Sequence, residues 1–196
     1  MADPLQSISS AEIYYHPNFY EKEGAANILS QLQKEIVWEQ KEIQLFGKTF
    51  NQPRLTAFYG ENGISYTYSK LTWKAIEWHP VLQGIKQKIE MEYHEQFNCV
   101  LLNFYRNGND SMSWHSDDEP ELGKNPVIAS MSFGAKRKFQ LRKKENKKEK
   151  YDLELENGSL LLMKGKTQHL WQHQLPKSKK ETGVRINLTF RKVIPQ

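Results

Sequence analysis

The chain has 196 residues, 38% hydrophobic and 12% aromatic, with a formal charge of +5 and a single cysteine. That length holds one domain with a sizeable core, and the composition excludes a disordered chain, a disulfide framework and a cysteine-based zinc cluster. No run approaches the ~20 apolar residues of a membrane span, and the opening MADPLQSISS lacks a signal-peptide pattern, so the expected location is intracellular.

From Glu21 to Val37 the apolar residues Ala25, Ile28, Leu29, Leu32 and Ile36 recur at three- and four-residue spacing, which predicts an amphipathic helix. A second helix is expected to start at Pro80 and to carry Val81, Leu82, Ile85 and Ile89 on one stripe. Short strands are expected at Asn98–Tyr105, Val127–Phe133, Lys138–Arg142, Tyr151–Leu155, Ser159–Met163 and Val184–Val193. Turn signals at Asn107-Gly108-Asn109-Asp110, Asn157-Gly158 and Lys164-Gly165 separate them. Cys99, inside an apolar run, reads as a core thiol. Residues 136–150 carry nine basic and two acidic side chains, a local +7 that leaves the rest of the chain at −2. Such a run is either a solvated hairpin tip or a phosphate-contacting patch. A smaller basic cluster, Lys177 to Lys180, follows Pro176. Two helices ahead of many short strands suggest an all-β core with a helical flank: a sandwich, barrel or jelly roll.

His115-Ser116-Asp117 follows a turn-rich segment. On extended backbone, positions two apart point the same way, so an imidazole and a carboxylate converge. A third ligand would come from His16, His79, His94, His169 or His173. Two histidines and one carboxylate with open positions form the facial triad of non-haem iron oxygenases. Residues 185–191, RINLTFR, alternate without a break. Arg185, Asn187, Thr189 and Arg191 share one face, and Ile186, Leu188 and Phe190 the other. The two arginines stand about 20 Å apart along the backbone and suit the two ends of an elongated dianion. Asn103 and Tyr105 share one face of another strand and could donate to the same anion. An edge strand with exposed arginines is the plainer alternative.

Together these residues resemble the AlkB family of Fe(II)/2-oxoglutarate-dependent nucleic-acid dealkylases, in its DNA-repair branch. The likeness runs from about Gln52 to Val193, through PRLTAFYG, YTYS, NFYRNGNDSMSWHSDDEPELG, ASMSFGAKRKF, LENGSLLLM, WQH and RINLTFRKV. It implies a mainly β fold with flanking helices. A double-stranded β-helix (jelly roll) core would span 96–196, and N-terminal helices with a nucleotide-recognition lid 1–95, all in a single domain and a monomer. It implies iron ligands His115, Asp117 and His173, with His169 a loop residue. 2-Oxoglutarate would lie on Asn103, Tyr105, Arg185, Asn187 and Arg191. Arg185 would take its distal carboxylate and Arg191 the carboxylate that chelates iron.

The same resemblance implies oxidative demethylation of 1-methyladenine and 3-methylcytosine in DNA, with RNA a further candidate. O2 and 2-oxoglutarate would be consumed, and succinate, CO2 and formaldehyde released. The base would be flipped out of the stack. Substrate contacts would fall on Tyr66, Tyr68 and Ser69, with Tyr68 stacking on the flipped base. Asp118 and Glu119 would favour cationic lesions, Phe46 would fill the hole in the stack, and Lys179 and Lys180 would contact phosphates. The location would be cytoplasmic in a bacterium and nuclear in a eukaryote, with no membrane partner. A catalytically silent jelly-roll module that binds nucleic acid through its lysines is the rival reading.

Overall fold

The computed structural model describes residues 3–4, 10–45, 47–68, 71–180 and 183–194. Strands β1 (Asp3–Pro4) and β2 (Glu12–His16) precede helix α1 (Lys22–Glu35). Ala25 and Leu32, seven residues apart, are wholly buried on one helix face, with Ile28 and Leu29 beside them. The helix stops short of the expected Val37. Ile36 is already extended, and the Trp38 indole folds back to donate to the Leu32 carbonyl at 3.1 Å. That bond satisfies a carbonyl that the ending helix leaves open.

Hairpins β3 (Glu42–Leu45) with β4 (Lys48–Asn51) and β6 (Ser65–Tyr68) with β7 (Leu71–Lys74) stand on either side of β5 (Leu55–Gly60) in the sequence. Phe46 and Ser69 lie outside the described residues, and of Tyr68 only the backbone is described. After β8 (Ile76–Glu77), α2 (Pro80–Tyr93) begins at the expected proline. The His79 ring accepts from Val81 N at 3.4 Å to cap its start, and His94 in the left-handed region ends it.

The remaining elements are β9 (Cys99–Tyr105), β10 (Met112–His115), β11 (Ile128–Gly134), β12 (Arg137–Lys143), β13 (Lys150–Leu155), β14 (Ser159–Lys164), α3 (Thr167–Leu170), β15 (Trp171–Leu175) and β16 (Arg185–Arg191). The strands expected in this half are present, within two residues at each end. The expected order of helices first and strands after does not hold. β2 joins the major sheet ahead of α1, and β3 to β8 separate the two helices.

Among the described residues the major sheet runs β1-β2-β14-β11-β16-β9-β5-β8, and a smaller one runs β10-β15-β12-β13. The two sheets face each other as a jelly roll. β5, from the N-terminal half, pairs antiparallel with β9 and extends the major sheet. Alternation along the strands assigns each side chain to one of two cores. Ile186, Leu188 and Phe190 of β16 pack with Leu32, Leu82, Ile85 and Ile89 of the helices. Cys99, Leu101, Leu161 and Met163 pack inward against Phe139, Leu141 and Trp171 of the smaller sheet. Both faces of the major sheet are therefore buried, which explains its near-continuous apolar runs. At the Asn157-Gly158 turn Gly158 has φ +75° and a Cβ there would lie 2.4 Å from the Tyr20 carbonyl, so both conformation and space require glycine.

Candidate active site

Between the sheets, polar residues from β9, β11 and β16 line one cavity together with apolar ones such as Leu101, Phe139 and Met163. Asn103, Tyr105, Arg185, Asn187, Thr189 and Arg191 line this cavity, which also takes in His115, Asp117, Ser130 and His173. The polar face of β16 thus points inward, and its arginines are buried, not exposed on an edge: Arg185 is 2% exposed and Arg191 4%.

His115 ends β10 and His173 sits in β15, directly opposite it in the antiparallel ladder. Their rings stand 4.2 Å apart, centroid to centroid. Asp117 lies just beyond the strand. One ligand atom from each of His115, Asp117 and His173 falls within 4.8 Å of the others. His169 is exposed on α3, where its Nε2 accepts from Asn125 N, and is not part of this group.

The protonation states suit a divalent cation. Burial pushes the Asp117 carboxyl up, but Arg191 and the two imidazoles pull it further down, to about 2. Burial and the neighbouring His115 lower His173 to about 3. Burial lowers His115 as well. At neutral pH the cluster is one carboxylate and two neutral imidazoles, the forms that bind metal. The His115 Nδ1 faces the Ser113 carbonyl at 2.8 Å, which fixes the ring.

The wall that carries the two arginines is basic and incompletely hydrogen-bonded among the described residues. Arg185 donates from Nη2 to Ser132 Oγ at 2.9 Å, and its Nε has no protein partner among the described residues. Burial lowers its pKa to about 10, so it stays cationic at neutral pH. Arg191 donates from Nη2 to Asp117 Oδ1 at 2.8 Å, while its Nε and Nη1 have no partner among the described residues. Buried guanidinium N–H groups without acceptors, in a cavity, fit a dianionic ligand. Asn187 lines the same cavity, but its amide already serves Ser130, Met131 and Thr189, so its part is to brace the wall. Asn103 accepts from Arg54 Nε at 2.7 Å, leaving its amide nitrogen as the donor.

The acids after Asp117 diverge. Asp118 is exposed and pairs with Lys144 on the β12–β13 hairpin at 2.7 Å. Glu119 accepts from the Tyr66 hydroxyl at 2.7 Å, and burial raises its pKa. Lys179 and Lys180 are exposed in the loop after Pro176, and that loop is tied down where Ser178 N donates to the Gly108 carbonyl at 2.8 Å. The same region holds residues that sequence patterns pass over. Arg137 is 1% exposed and donates to the carbonyls of Asn107, Asp110 and Pro176. Arg54 and Gln168 are also buried. Patterning treats arginine and glutamine as surface residues: PRLTAFYG contains Arg54, and ASMSFGAKRKF and the basic run 136–150 contain Arg137, but none of these marks its arginine as buried, and nothing marks Gln168.

A family model described as the 2OG-Fe(II) oxygenase superfamily matches residues 12–191. The chain is 44% identical over 200 residues to the Homo sapiens protein named alpha-ketoglutarate-dependent dioxygenase alkB homolog 3, covering 97% of this chain and 69% of that one. The chain belongs to the AlkB family of 2OG-Fe(II) oxygenases. The Bos taurus protein named DNA oxidative demethylase ALKBH2 is 40% identical over 184 residues, covering 89% of this chain and 66% of that one. This AlkB-family enzyme thus spans about two thirds of the length of these relatives. A solved structure of OsALKBH1 superposes with a TM-score of 0.65 at 18% identity, over 92% of this chain and 97% of that one, a likeness of fold alone. As a family member the enzyme is a dioxygenase that uses Fe(II), 2-oxoglutarate and O2. The donor set of two imidazoles and a carboxylate fits iron, and the open guanidinium N–H groups fit 2-oxoglutarate.

Proposed function

We propose that this AlkB-family enzyme repairs DNA by oxidative dealkylation of N-alkylated bases, 1-methyladenine and 3-methylcytosine among them, with RNA as a further substrate. The observation that carries the proposal is the joining of the His115–Asp117–His173 cluster to a cavity whose far wall holds Arg185. The relatives named as DNA oxidative demethylases support DNA as the polymer.

In this reading His115, Asp117 and His173 hold iron. Arg185 and Tyr105 take one carboxylate of 2-oxoglutarate. The open N–H groups of Arg191 and the Asn103 amide serve the other, while Asn187 braces the wall. Iron, O2 and 2-oxoglutarate together supply the oxidation of the N-alkyl carbon, with succinate and CO2 as co-products. The hydroxylated methyl group then leaves as formaldehyde when its bond to the base nitrogen breaks.

The protein's own contribution is to position the base and keep water out. A base inside a duplex cannot reach a cluster buried between two sheets, so it enters flipped out or from a single strand. Tyr66, only 1% exposed, is packed in the core and holds Glu119 by a hydrogen bond instead of facing the base itself, and the Glu119 carboxylate, two residues beyond Asp117, would favour a cationic alkylated base over a neutral one. Tyr68 and Ser69 are proposed base contacts, Phe46 the wedge, and Lys179 and Lys180 phosphate contacts. Asp118, engaged with Lys144, fastens the β12–β13 hairpin to the rim. The test is succinate formation from 2-oxoglutarate with Fe(II) and ascorbate, with methylated and unmethylated oligonucleotides. Methylated oligonucleotide should stimulate turnover and lose its methyl group. Equal turnover with both oligonucleotides, and an intact methyl group, would overturn the proposal.

A further inference from the structure

The metal cluster draws its ligands from two segments with different neighbours. His115 and Asp117 come from the end of β10 and the turn after it, and His173 comes from β15. Asp117 has left the ladder, so its backbone N–H has no strand partner, yet it is buried. A buried N–H left unpaired is strongly unfavourable. Its acceptor here is a side chain: Asp117 N donates to Gln168 Oε1 at 2.9 Å. Gln168 is 1% exposed and lies on α3, five residues before His173. Its amide orientation is fixed from the other side, because Nε2 donates to the Met163 sulfur at 3.5 Å. A second tie joins the same two segments: Ser116 Oγ donates to the Trp171 carbonyl at 2.9 Å. The start of α3 is held in turn where Glu12 N donates to Thr167 Oγ1 at 3.0 Å.

We infer that Gln168, with Ser116 in support, is a positioning residue that sets Asp117 relative to His173 and so sets metal affinity. Arg191 holds the carboxylate end of Asp117 and Gln168 holds its backbone end. With both ends held, the three ligand atoms converge before metal arrives. Without the Gln168 acceptor, the 116–118 turn must find water or rotate, and either moves the carboxylate. Partners of this kind outside the ligand set change metal affinity by about 10- to 100-fold. The inference rests on the iron reading of the triad.

The test is Mn(II) binding to the full chain, stripped of metal with chelator and followed by the electron paramagnetic resonance signal of free Mn(II). Gln168→Met keeps the volume and removes the acceptor. It should weaken Mn(II) binding about 10- to 100-fold. At saturating Fe(II) its KM for 2-oxoglutarate should change far less than its Mn(II) affinity, since Gln168 itself lines none of the arginine-bearing wall. Gln168→Glu keeps an acceptor oxygen and should bind Mn(II) more tightly than Gln168→Met. If Gln168→Met fails to fold, Ser116→Ala removes the other tie and should weaken Mn(II) binding several-fold. Wild-type Mn(II) affinity in Gln168→Met, with a lowered melting temperature, would make Gln168 a packing residue and overturn the inference. His173→Ala is the separate control for the iron reading: undiminished Mn(II) binding there would remove the metal site itself, whatever Gln168 does.

Discussion

Arg191 donates to Asp117 at 2.8 Å, with both side chains almost wholly buried. The resemblance assigns Arg191 to 2-oxoglutarate alone, but in the structure the guanidinium also secures a metal-ligand candidate and keeps two further N–H groups open toward the cavity. Removing one partner of a buried pair leaves the other charge uncompensated, at a cost of about 3–5 kcal/mol. Arg191→Met should lower the unfolding free energy of the metal-free protein by about that amount in a urea titration.

The same pair sets an acid limit. The Asp117 pKa is about 2, below its ordinary 3.8. A depressed carboxyl stabilises the fold fully above its unfolded value and loses that contribution as pH falls through the folded one. Metal-free wild type should therefore lose stability between pH 4 and 2 from this group. Asp117→Asn should have a shallower decline over that window, read from denaturant midpoints at each pH.

Arg185 sits 5.3 Å from the Tyr105 ring and is bound to Ser132. Charge-assisted hydrogen bonds contribute about 1.5–3 kcal/mol, so Arg185→Ala should raise the KM for 2-oxoglutarate roughly 10- to 100-fold. Steady-state succinate assays at saturating Fe(II) measure it. An unchanged KM would detach Arg185 from the cosubstrate.

Lys179 and Lys180 are exposed on a loop anchored by Ser178. If each neutralises one phosphate, replacing both with Ala should flatten the log–log salt dependence of duplex binding by about 1.8 units. Affinity should fall for every sequence alike. A salt slope equal to wild type would return both lysines to the solvated surface.

Cys99 is wholly buried and its thiol donates to the Arg191 carbonyl at 3.6 Å. Burial pushes its pKa up to about 12. Thiol reagents at pH 8 should react with Cys99 only as fast as the fold opens, and at once in urea. A raised thiol pKa stabilises the fold below the unfolded value of 9.0, and this is lost as pH climbs toward 12.

Much of this site is legible in the sequence because β16 alternates strictly. Seven residues of period 2 assign Arg185, Asn187, Thr189 and Arg191 to one face, and the structure turns that face into the cavity. Helices α1 and α2 are legible from their three- and four-residue spacing, except where Trp38 folds back on α1, whereas α3, four residues long, is too short to show a helical period. β10 and β15 are not legible: they have four and five residues, and His, Gln and Ser within them carry no apolar alternation strong enough to mark a strand. Gln168, Arg137 and Arg54 are missed for another reason. Each is buried by a partner that is distant in sequence or belongs to a backbone, and no spacing rule encodes such a partner.

The most direct measurement is the fate of the methyl group on a 1-methyladenine oligonucleotide, followed by mass spectrometry beside succinate in the same reaction. Wild type should remove the methyl group with about one succinate and one formaldehyde per base repaired, only with Fe(II) and 2-oxoglutarate present. His115→Ala and His173→Ala should do neither, while His169→Ala should keep both activities. Succinate formed while the methyl group stays in place, or repair that survives loss of His173, would contradict the assignment of this cluster to oxidative dealkylation.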